Sequence, residues 1–449
     1  MPTSKPNILF FFSDQQRWDT VGCYGQRLPV TPNLDALAAD GVRFEYAFTP
    51  QPVCGPARAC LQTGRYATEV GMYRNDAHFQ PGGLTVPEWL TGAGYEVGYL
   101  GKWHLAGTRT EPVPPELRFG YKDYWLAADA LEHTSHGYEG GYMYDADNQR
   151  VDFPGYRVDS VTDFVLDYLQ SRDGSRPWFL FLSYLEPHHQ NDRNRYEGPV
   201  GSKERFKDYD VPGDLEGTGG DWRENYPDYL GQCNSLDHNL GRIQQELIRL
   251  GLADNTIIIY TSDHGSHFCT RNSEYKRACH DDCLRIPMII HGPGFRGGKV
   301  IDELVSLIDI PPTILAAAGV EAPGLMHGHP LQTLVDGSAI DWPEVIFAQI
   351  SEDHTGRAVR TKRWTYEVSV PREDTVGFLK NESPGSDIYY EAYLYDDQAD
   401  PHQRTNLVAD PAYTDIRAEL ATLLLKKMQE AGEIVPKILP YQDVSTTKS

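Results

Sequence analysis

Asn7-Ile8-Leu9-Phe10-Phe11-Phe12-Ser13 is a continuous apolar run that stops abruptly at Asp14-Gln15-Gln16. A short run without alternation, bounded by polar residues, predicts a strand buried on both faces, as in a parallel sheet. The pattern recurs along the chain. Tyr95 to Leu100 runs into Gly101-Lys102-Trp103-His104, Trp178 to Tyr184 into Glu186-Pro187-His188-His189, and Thr256 to Tyr260 into Ser262-Asp263-His264-Gly265. Ile286 to Ile290 reads as one more strand. Between these runs lie helical stretches: Thr31-Pro32-Asn33-Leu34 up to Gly41, Leu84 to Thr91, and Tyr226 to Leu252. Asp159 to Arg172 joins them, with Val161, Phe164, Val165 and Tyr168 at helical spacing. Thr31 is the expected cap and Pro32 the first helical residue of the earliest one. Strands alternating with helices predict an α/β domain with a large, mostly parallel sheet. Ionisable residues at the carboxyl ends of four strands fall where open α/β sheets bind ligands.

From about Asp341 the texture changes. Val345 to Ile350, Arg363 to Ser369 and Tyr393 to Tyr395 read as strands of a smaller sheet, and Ala412 to Ala431 as a closing helix. The division expected is a catalytic α/β domain over residues 1–340 and a smaller α+β subdomain over 341–449. The tail, Asp443 to Ser449, is expected to fray.

Of the 449 residues, 40% are hydrophobic and 23% charged, as in a globular protein, and the formal net charge is −23. That balance excludes a nucleic-acid partner, which needs a basic surface. Seven cysteines (Cys23, Cys54, Cys60, Cys233, Cys269, Cys279, Cys283) show no metal-type pairing and read as reduced thiols. Met1 to Pro6 is short and polar, and no apolar run reaches the ~18 residues of a membrane span. With Met1 taken as the start, the expected location is the cytoplasm, away from a membrane.

A second stretch carries the chemistry: Pro52-Val53-Cys54-Gly55-Pro56-Ala57-Arg58-Ala59-Cys60-Leu61-Gln62-Thr63-Gly64-Arg65-Tyr66. Pro56 favours a first helical turn and Gly64 a stop, which puts Cys54 at a helix N-terminus. There the unpaired N–H groups favour negative charge, and Arg58 adds a fixed cation one turn on. A lone cysteine is ordinarily a buried structural residue. The pattern Cys-x-Pro-x-Arg followed by Leu-x-Thr-Gly-Arg is too long for that reading, and it closely resembles the signature of the type I sulfatases of the alkaline-phosphatase-like superfamily. The resemblance implies that Cys54 is oxidised by the formylglycine-generating enzyme to 3-oxoalanine (formylglycine), whose hydrate is the nucleophile. Ala57 stands where the family usually has serine.

Asp14 and Gln15 with Asp263 and His264 are candidate ligands of one divalent metal, together with residue 54. Hard oxygen donors and few thiolates suit Ca²⁺, with Mg²⁺ or Mn²⁺ as alternatives. Sulfatases usually have Asp-Asp at the first pair; the Asp/Gln and Asp/His pairs here resemble the phosphonate monoester hydrolases of the same fold. Gly-Lys102-Trp-His104-Leu resembles a recurrent sulfatase motif that orients the hydrate and neutralises sulfate. His188, in Glu-Pro-His-His, matches the family's Pro-His segment, whose histidine protonates the leaving alcohol and whose pKa a neighbouring anion is expected to keep near neutrality; His189 is its rival. Lys276 aligns with the family's sulfate-contacting lysine. The donor-rich run around it makes His267, Arg271, Asn272 and His280 candidate substrate contacts, with His189. Trp125, Tyr138, Tyr142 and Tyr144 offer rings for a sugar face, although isolated aromatics read as ordinary packing.

The expected activity is sulfate removal from a carbohydrate or small sulfated ester. The hydrate attacks sulfur, Arg58, Lys102 and Lys276 balance the oxyanion, and collapse of the second hydroxyl expels sulfate. The rivals are a phosphonate monoester or phosphodiester hydrolase on the same fold, and a non-catalytic binder of sulfated glycans with Cys54 unmodified.

Overall fold

A computed structural model of the chain describes residues 5–370 and 384–442. The main sheet has twelve strands, of which eight form its body: β1 (Asn7–Ser13), β2 (Val42–Phe48), β3 (Glu96–Lys102), β4 (Tyr124–Ala128), β5 (Trp178–Ser183), β6 (Thr256–Ser262), β7 (Met288–His291) and β8 (Lys299–Ser306). Their spatial order is β8-β2-β7-β6-β1-β5-β3-β4, with a hairpin (Gly140–Asp145 and Arg150–Phe153) beyond β4. The five central neighbours β6, β1, β5, β3 and β4 are all parallel, with Phe10 facing Phe181 on one side and Ile259 on the other.

Every residue of β1 is buried, which is why its sequence shows no polar alternation. Ile8, Phe10 and Phe12 point into one core with helices α2 (Cys54–Thr63), α3 (Val86–Gly92) and Ile310–Ala317. Leu9 and Phe11 point into the other, with α1 (Pro32–Asp40), Arg157–Gln170 and the long helix Trp222–Arg249. The first turn of α1 is capped from outside: Asp237, on the long helix, accepts from Asn33 N at 3.2 Å and Leu34 N at 2.8 Å, and Thr31 makes no side-chain cap.

Two local expectations change. The single strand expected over Ile286 to Ile290 is broken: Arg285–Ile286 and Met288–His291 flank Pro287, which has no N–H for a ladder, and both pair antiparallel to β2. The sheet is therefore mixed at this edge. Strand β2 itself went unread because Arg43 and Glu45 interrupt its apolar pattern; they pair with each other at 2.9 Å.

The second sheet is β9 (Ile346–Ile350), β10 (Gly356–Arg360), β11 (Trp364–Ser369), β12 (Ile388–Asp396) and β13 (Lys437–Leu439), in that order. The closing helix Thr414–Glu430 buries Leu420, Leu424 and Met428 against Val359, Tyr366 and Leu394. Ile346 and Ala348 meet Phe48 and Leu304, which fastens this sheet to the edge of the first. The tail from Asp443 lies outside the described residues. None of the described helices is long and apolar enough to cross a membrane. All seven cysteines are unpaired thiols.

Candidate active site

Five parallel strands end at one place. β1 delivers Asp14 and Gln15, β6 delivers Asp263 and His264, β3 ends on Lys102, β5 leads to His188, and β4 leads to a helical turn, Leu131–Thr134, carrying Glu132. The N-terminus of α2 brings Cys54 to the same point; its Sγ is 3.4 Å from Asp14 Oδ1, 3.4 Å from His264 Nε2 and 2.8 Å from Lys276 Nζ. All ten residues of α2 are buried, and Gly64 closes it at φ +68°. Gly55 N donates to Asn75 Oδ1 at 2.9 Å, so one open amide of that helix end is already satisfied by a side chain the sequence reading passed over.

On one side of Cys54 lie carboxylates. Lys102 Nζ reaches Asp14 Oδ2 at 2.9 Å and Arg58 reaches the same oxygen at 3.1 Å. Burial and the nearby Cys54 push the Asp14 carboxyl up, yet Lys102, His188 and Lys276 together hold it well below the usual range. Arg58 is itself fixed by Ser183 Oγ at 2.6 Å and the Lys102 carbonyl at 3.0 Å, so it meets Asp14 and not the cysteine directly. Asp263 behaves oppositely: burial and then the like charge of Asp14 push it up to about 7. Its Oδ1 accepts from the backbone N–H of Gln15 and His264, both at 2.8 Å. Its Oδ2 accepts no hydrogen bond among the described residues and stands 3.5 Å from His264 Nε2.

A carboxylate oxygen left without a donor beside a second carboxylate suits a cation. Ligand atoms of Asp14, Cys54, Asp263 and His264 all lie within 4.8 Å of one another. Gln15 completes the set in a left-handed conformation, φ +71°. Its Nε2 is engaged by Tyr196 Oη at 2.9 Å and Ser266 Oγ at 3.2 Å, which leaves the amide oxygen as its free donor toward a metal. His264 holds the Gly265 carbonyl through Nδ1 at 2.9 Å, leaving Nε2 to face the site. The donor set fits a divalent ion.

On the other side of Cys54, Lys276 Nζ is 3.4 Å from His188 Nε2 and 3.2 Å from His264 Nε2. Cys54 and Asp14 hold Lys276 protonated against its burial. Burial would push the Cys54 thiol up, but Lys102, Lys276 and His264 outweigh it and hold it well below the thiol range. His188 is pushed down by burial and then by Lys276, and Asp14 only partly offsets them.

Cys54, Gln15, His104, Glu132, His188 and Lys276 line one cavity of about 70 Å³. Other expected contacts lie elsewhere. His189 stacks on Tyr275 at 4.2 Å behind the wall. His267 Nε2 and Asn272 Nδ2 both bind the carbonyl of Lys276, at 3.1 and 3.0 Å, so they shape its loop. Arg271 bridges to the second sheet through the carbonyls of Gln403 and His402, at 2.9 and 2.8 Å. His280 bonds Tyr395 Oη at 3.0 Å and is buried there. None of these four lines the cavity; Arg271 and Asn272 are engaged by the protein itself, whereas His267 and His280 each keep Nδ1 without a hydrogen bond among the described residues. Trp125 is buried among Tyr99, Trp103 and Arg118, and Tyr142 packs on Tyr144. Tyr138 donates to the Gly198 carbonyl. None of the four lines the cavity.

Parallel strands whose carboxyl ends converge on a buried cysteine, paired carboxylates and two lysines define a hydrolase of anionic esters. Comparison with known proteins names it further. The family described as Sulfatase matches residues 6–320, and N-sulphoglucosamine sulphohydrolase, C-terminal, matches residues 273–430. An ulvan-active sulfatase of Formosa agariphila is 30% identical over 446 residues, 96% of this chain and 82% of its own. An N-acetylglucosamine-6-O-sulfatase of Bacteroides thetaiotaomicron is 26% identical, covering 94% of this chain and 86% of its own. A solved structure of a protein in complex with its substrate D-glucosamine-2-N,6-O-disulfate shares the fold, with a TM-score of 0.76 at 23% identity over 96% of this chain and 98% of that one. The chain belongs to the sulfatase family, on the alkaline-phosphatase-like fold. It is a sulfuric ester hydrolase.

Proposed function

We propose that the protein removes sulfate from a sulfated carbohydrate, with residue 54 as a formylglycine and one divalent metal, Ca²⁺ by its hard donors. The observation that carries this is Cys54 itself: carboxylates stand on one side of it, and Lys276 and His188 on the other, around one small cavity. The metal's ligands would be Asp14, Gln15, Asp263, His264 and residue 54; bound there it supplies positive charge to the sulfate oxygens and to the nucleophile. The aldehyde's hydrate supplies a nucleophilic hydroxyl and a second one that lets sulfate leave without water attacking sulfur.

The remaining work falls to the chain's own side chains. Lys102, at the end of β3, and Lys276, on the loop after β6, stand on different sides of residue 54 and neutralise ester oxygens as charge builds. Arg58 holds Asp14 in place. His188 Nδ1 holds the His189 carbonyl at 2.6 Å, which aims Nε2 into the cavity beside Lys276. A sulfate bound there adds the anion that raises its pKa, so a proton on Nε2 can pass to the departing alkoxide. His104, at φ +56° after Lys102, presents its ring to the same cavity.

The test is sulfate release from a panel of defined sulfated saccharides by protein co-produced with the formylglycine-generating enzyme, alongside Cys54→Ala. Release by the first and none by the second supports the reading; release by neither from any saccharide removes it. One observation favours a second reading: Gln15, where the family usually has Asp, lowers the negative charge around the metal, as in phosphonate monoester hydrolases. Turnover of an aryl phosphonate exceeding that of the matched aryl sulfate would select it.

A further inference from the structure

One wall of the catalytic cavity takes no part in the reaction as proposed. Glu132 sits there, 5% exposed, in the turn that follows β4. The turn is clamped from behind. Gln190 Nε2 donates to the Glu132 carbonyl at 2.9 Å. Arg157, paired with Glu186 at 2.8 Å, holds the Ser135 carbonyl at 3.1 Å and its Oγ at 3.0 Å. The side chain is thus presented by a rigid, buried framework and lines the cavity with residue 54, His188 and Lys276. Its Oε1 lies 3.2 Å from Lys102 Nζ, while its Oε2 has no partner among the described residues. Burial opposes its charge, but Lys102, His104 and His188 pull the carboxyl down to about 2, so it is an anion at any working pH.

A buried anionic oxygen with no donor costs free energy until something donates to it. A sulfate ester group cannot: all its outer oxygens are acceptors. The alcohol half of the substrate can. We propose that Glu132 Oε2 is a substrate-recognition group that accepts a hydrogen bond from a hydroxyl or N–H next to the ester, and so selects substrates with a neutral or cationic donor there over those with a second sulfate or a carboxylate. This rests on the sulfatase reading of the same cavity. It also gives the pocket a way to tell one sulfated sugar position from another, because attraction and repulsion act on the same neighbouring group.

The test uses three ligands that differ only beside the ester: cyclohexyl sulfate, trans-2-hydroxycyclohexyl sulfate and trans-cyclohexane-1,2-diyl disulfate. Their affinities are measured calorimetrically on the metal-loaded protein and on Glu132→Gln. The native protein is expected to bind the hydroxy ester about tenfold tighter than the plain one, the scale of a hydrogen bond to a charged acceptor, and the disulfate more weakly than either. Glu132→Gln is expected to shrink the hydroxyl preference and to gain affinity for the disulfate, a gain that a damaged fold does not produce. Equal or undetectable binding of the first two ligands by the native protein overturns the proposal. So does a uniform loss across all three in Glu132→Gln, which would make Glu132 a support for Lys102 only. Turnover of 4-nitrophenyl sulfate by the same native preparation reports separately on the sulfatase reading, because that ester has no donor beside it.

Discussion

The Nζ of Lys276 stands 2.8 Å from the Sγ of Cys54, although the two are 222 residues apart and both are buried. The contact puts the lysine's charge against the reacting position and not against the solvent. The loop carrying Lys276 is held by its own backbone carbonyl, which receives His267 and Asn272. The cation is therefore aimed before any substrate arrives, the arrangement in which electrostatic stabilisation costs least reorganisation.

The paired carboxylates make opposite demands with and without metal. Asp263→Asn is expected to stabilise the metal-free protein, because it removes the like charge beside Asp14, and to abolish the stabilisation that Ca²⁺ gives the native chain. That gain is about 2.7 kcal/mol at a hundredfold excess over Kd. Thermal melts with chelator and with Ca²⁺ read both effects; a full metal-induced shift retained in Asp263→Asn contradicts the ligand set.

His188 and His189 separate by leaving group. A sugar alkoxide needs a proton to depart and a nitrophenolate does not, and general acid catalysis is worth roughly 10²–10⁴-fold. His188→Ala is expected to lose that factor on a sugar sulfate and much less on 4-nitrophenyl sulfate. His189→Ala, which removes a stack on Tyr275 outside the cavity, is expected to affect both alike. Equal losses on the two substrates for His188→Ala remove it as the acid.

Gly101 is the hinge before Lys102. It sits at φ +108°, and a Cβ there would stand 1.9 Å from the Ser183 carbonyl oxygen. Gly101→Ala must part β3 from β5 or abandon the backbone conformation, at an expected cost of about 2–4 kcal/mol. Because Lys102 follows directly, activity falls further than stability. Urea unfolding and turnover measured on one preparation check this; an unchanged midpoint contradicts it.

The second sheet contains a buried pair whose charge depends on pH. His354 is bonded to Glu367 and Asp353, and those anions raise it to about 10 against the burial that would lower it. Its folded pKa lies above the unfolded value, so its contribution is complete below about 6.5 and is lost as pH rises through about 10. His354→Gln leaves Glu367 without its cation, and is expected to cost about 3–5 kcal/mol at pH 6. The gap from the native chain should close toward pH 10.5. Urea midpoints across that range test it; a gap that stays constant contradicts the ion pair.

The strands and the residues at their carboxyl ends were legible because both are local signals: an apolar run, then Asp14, Lys102, His188 or Asp263. Glu132 was not. It follows β4, whose Trp125 invited a reading as a sugar platform, and nothing local shows that Lys102 pairs across to it. His267, Arg271, Asn272 and His280 lie outside the small cavity for the complementary reason. A sequence shows which side chains donate, but the backbone carbonyls that receive three of these four have no letter of their own. Gln15 and Asp263 were legible as candidate ligands by type, whereas the Asp263 Oδ2 left without a hydrogen bond, which favours a cation there, exists only in three dimensions.

Cys54 is 1% exposed, and the nine residues that follow it in its helix are buried with it. A second protein closing around Cys-x-Pro-x-Arg in the folded chain would have to displace the strand ends and the Lys276 loop that surround it. The proposed oxidation therefore belongs to the nascent chain, before β6 and the Lys276 loop arrive to seal the pocket. On that proposal maturation is a race in time: a molecule that folded first would be sealed with an unconverted thiol and stay inert, whatever enzyme it later met.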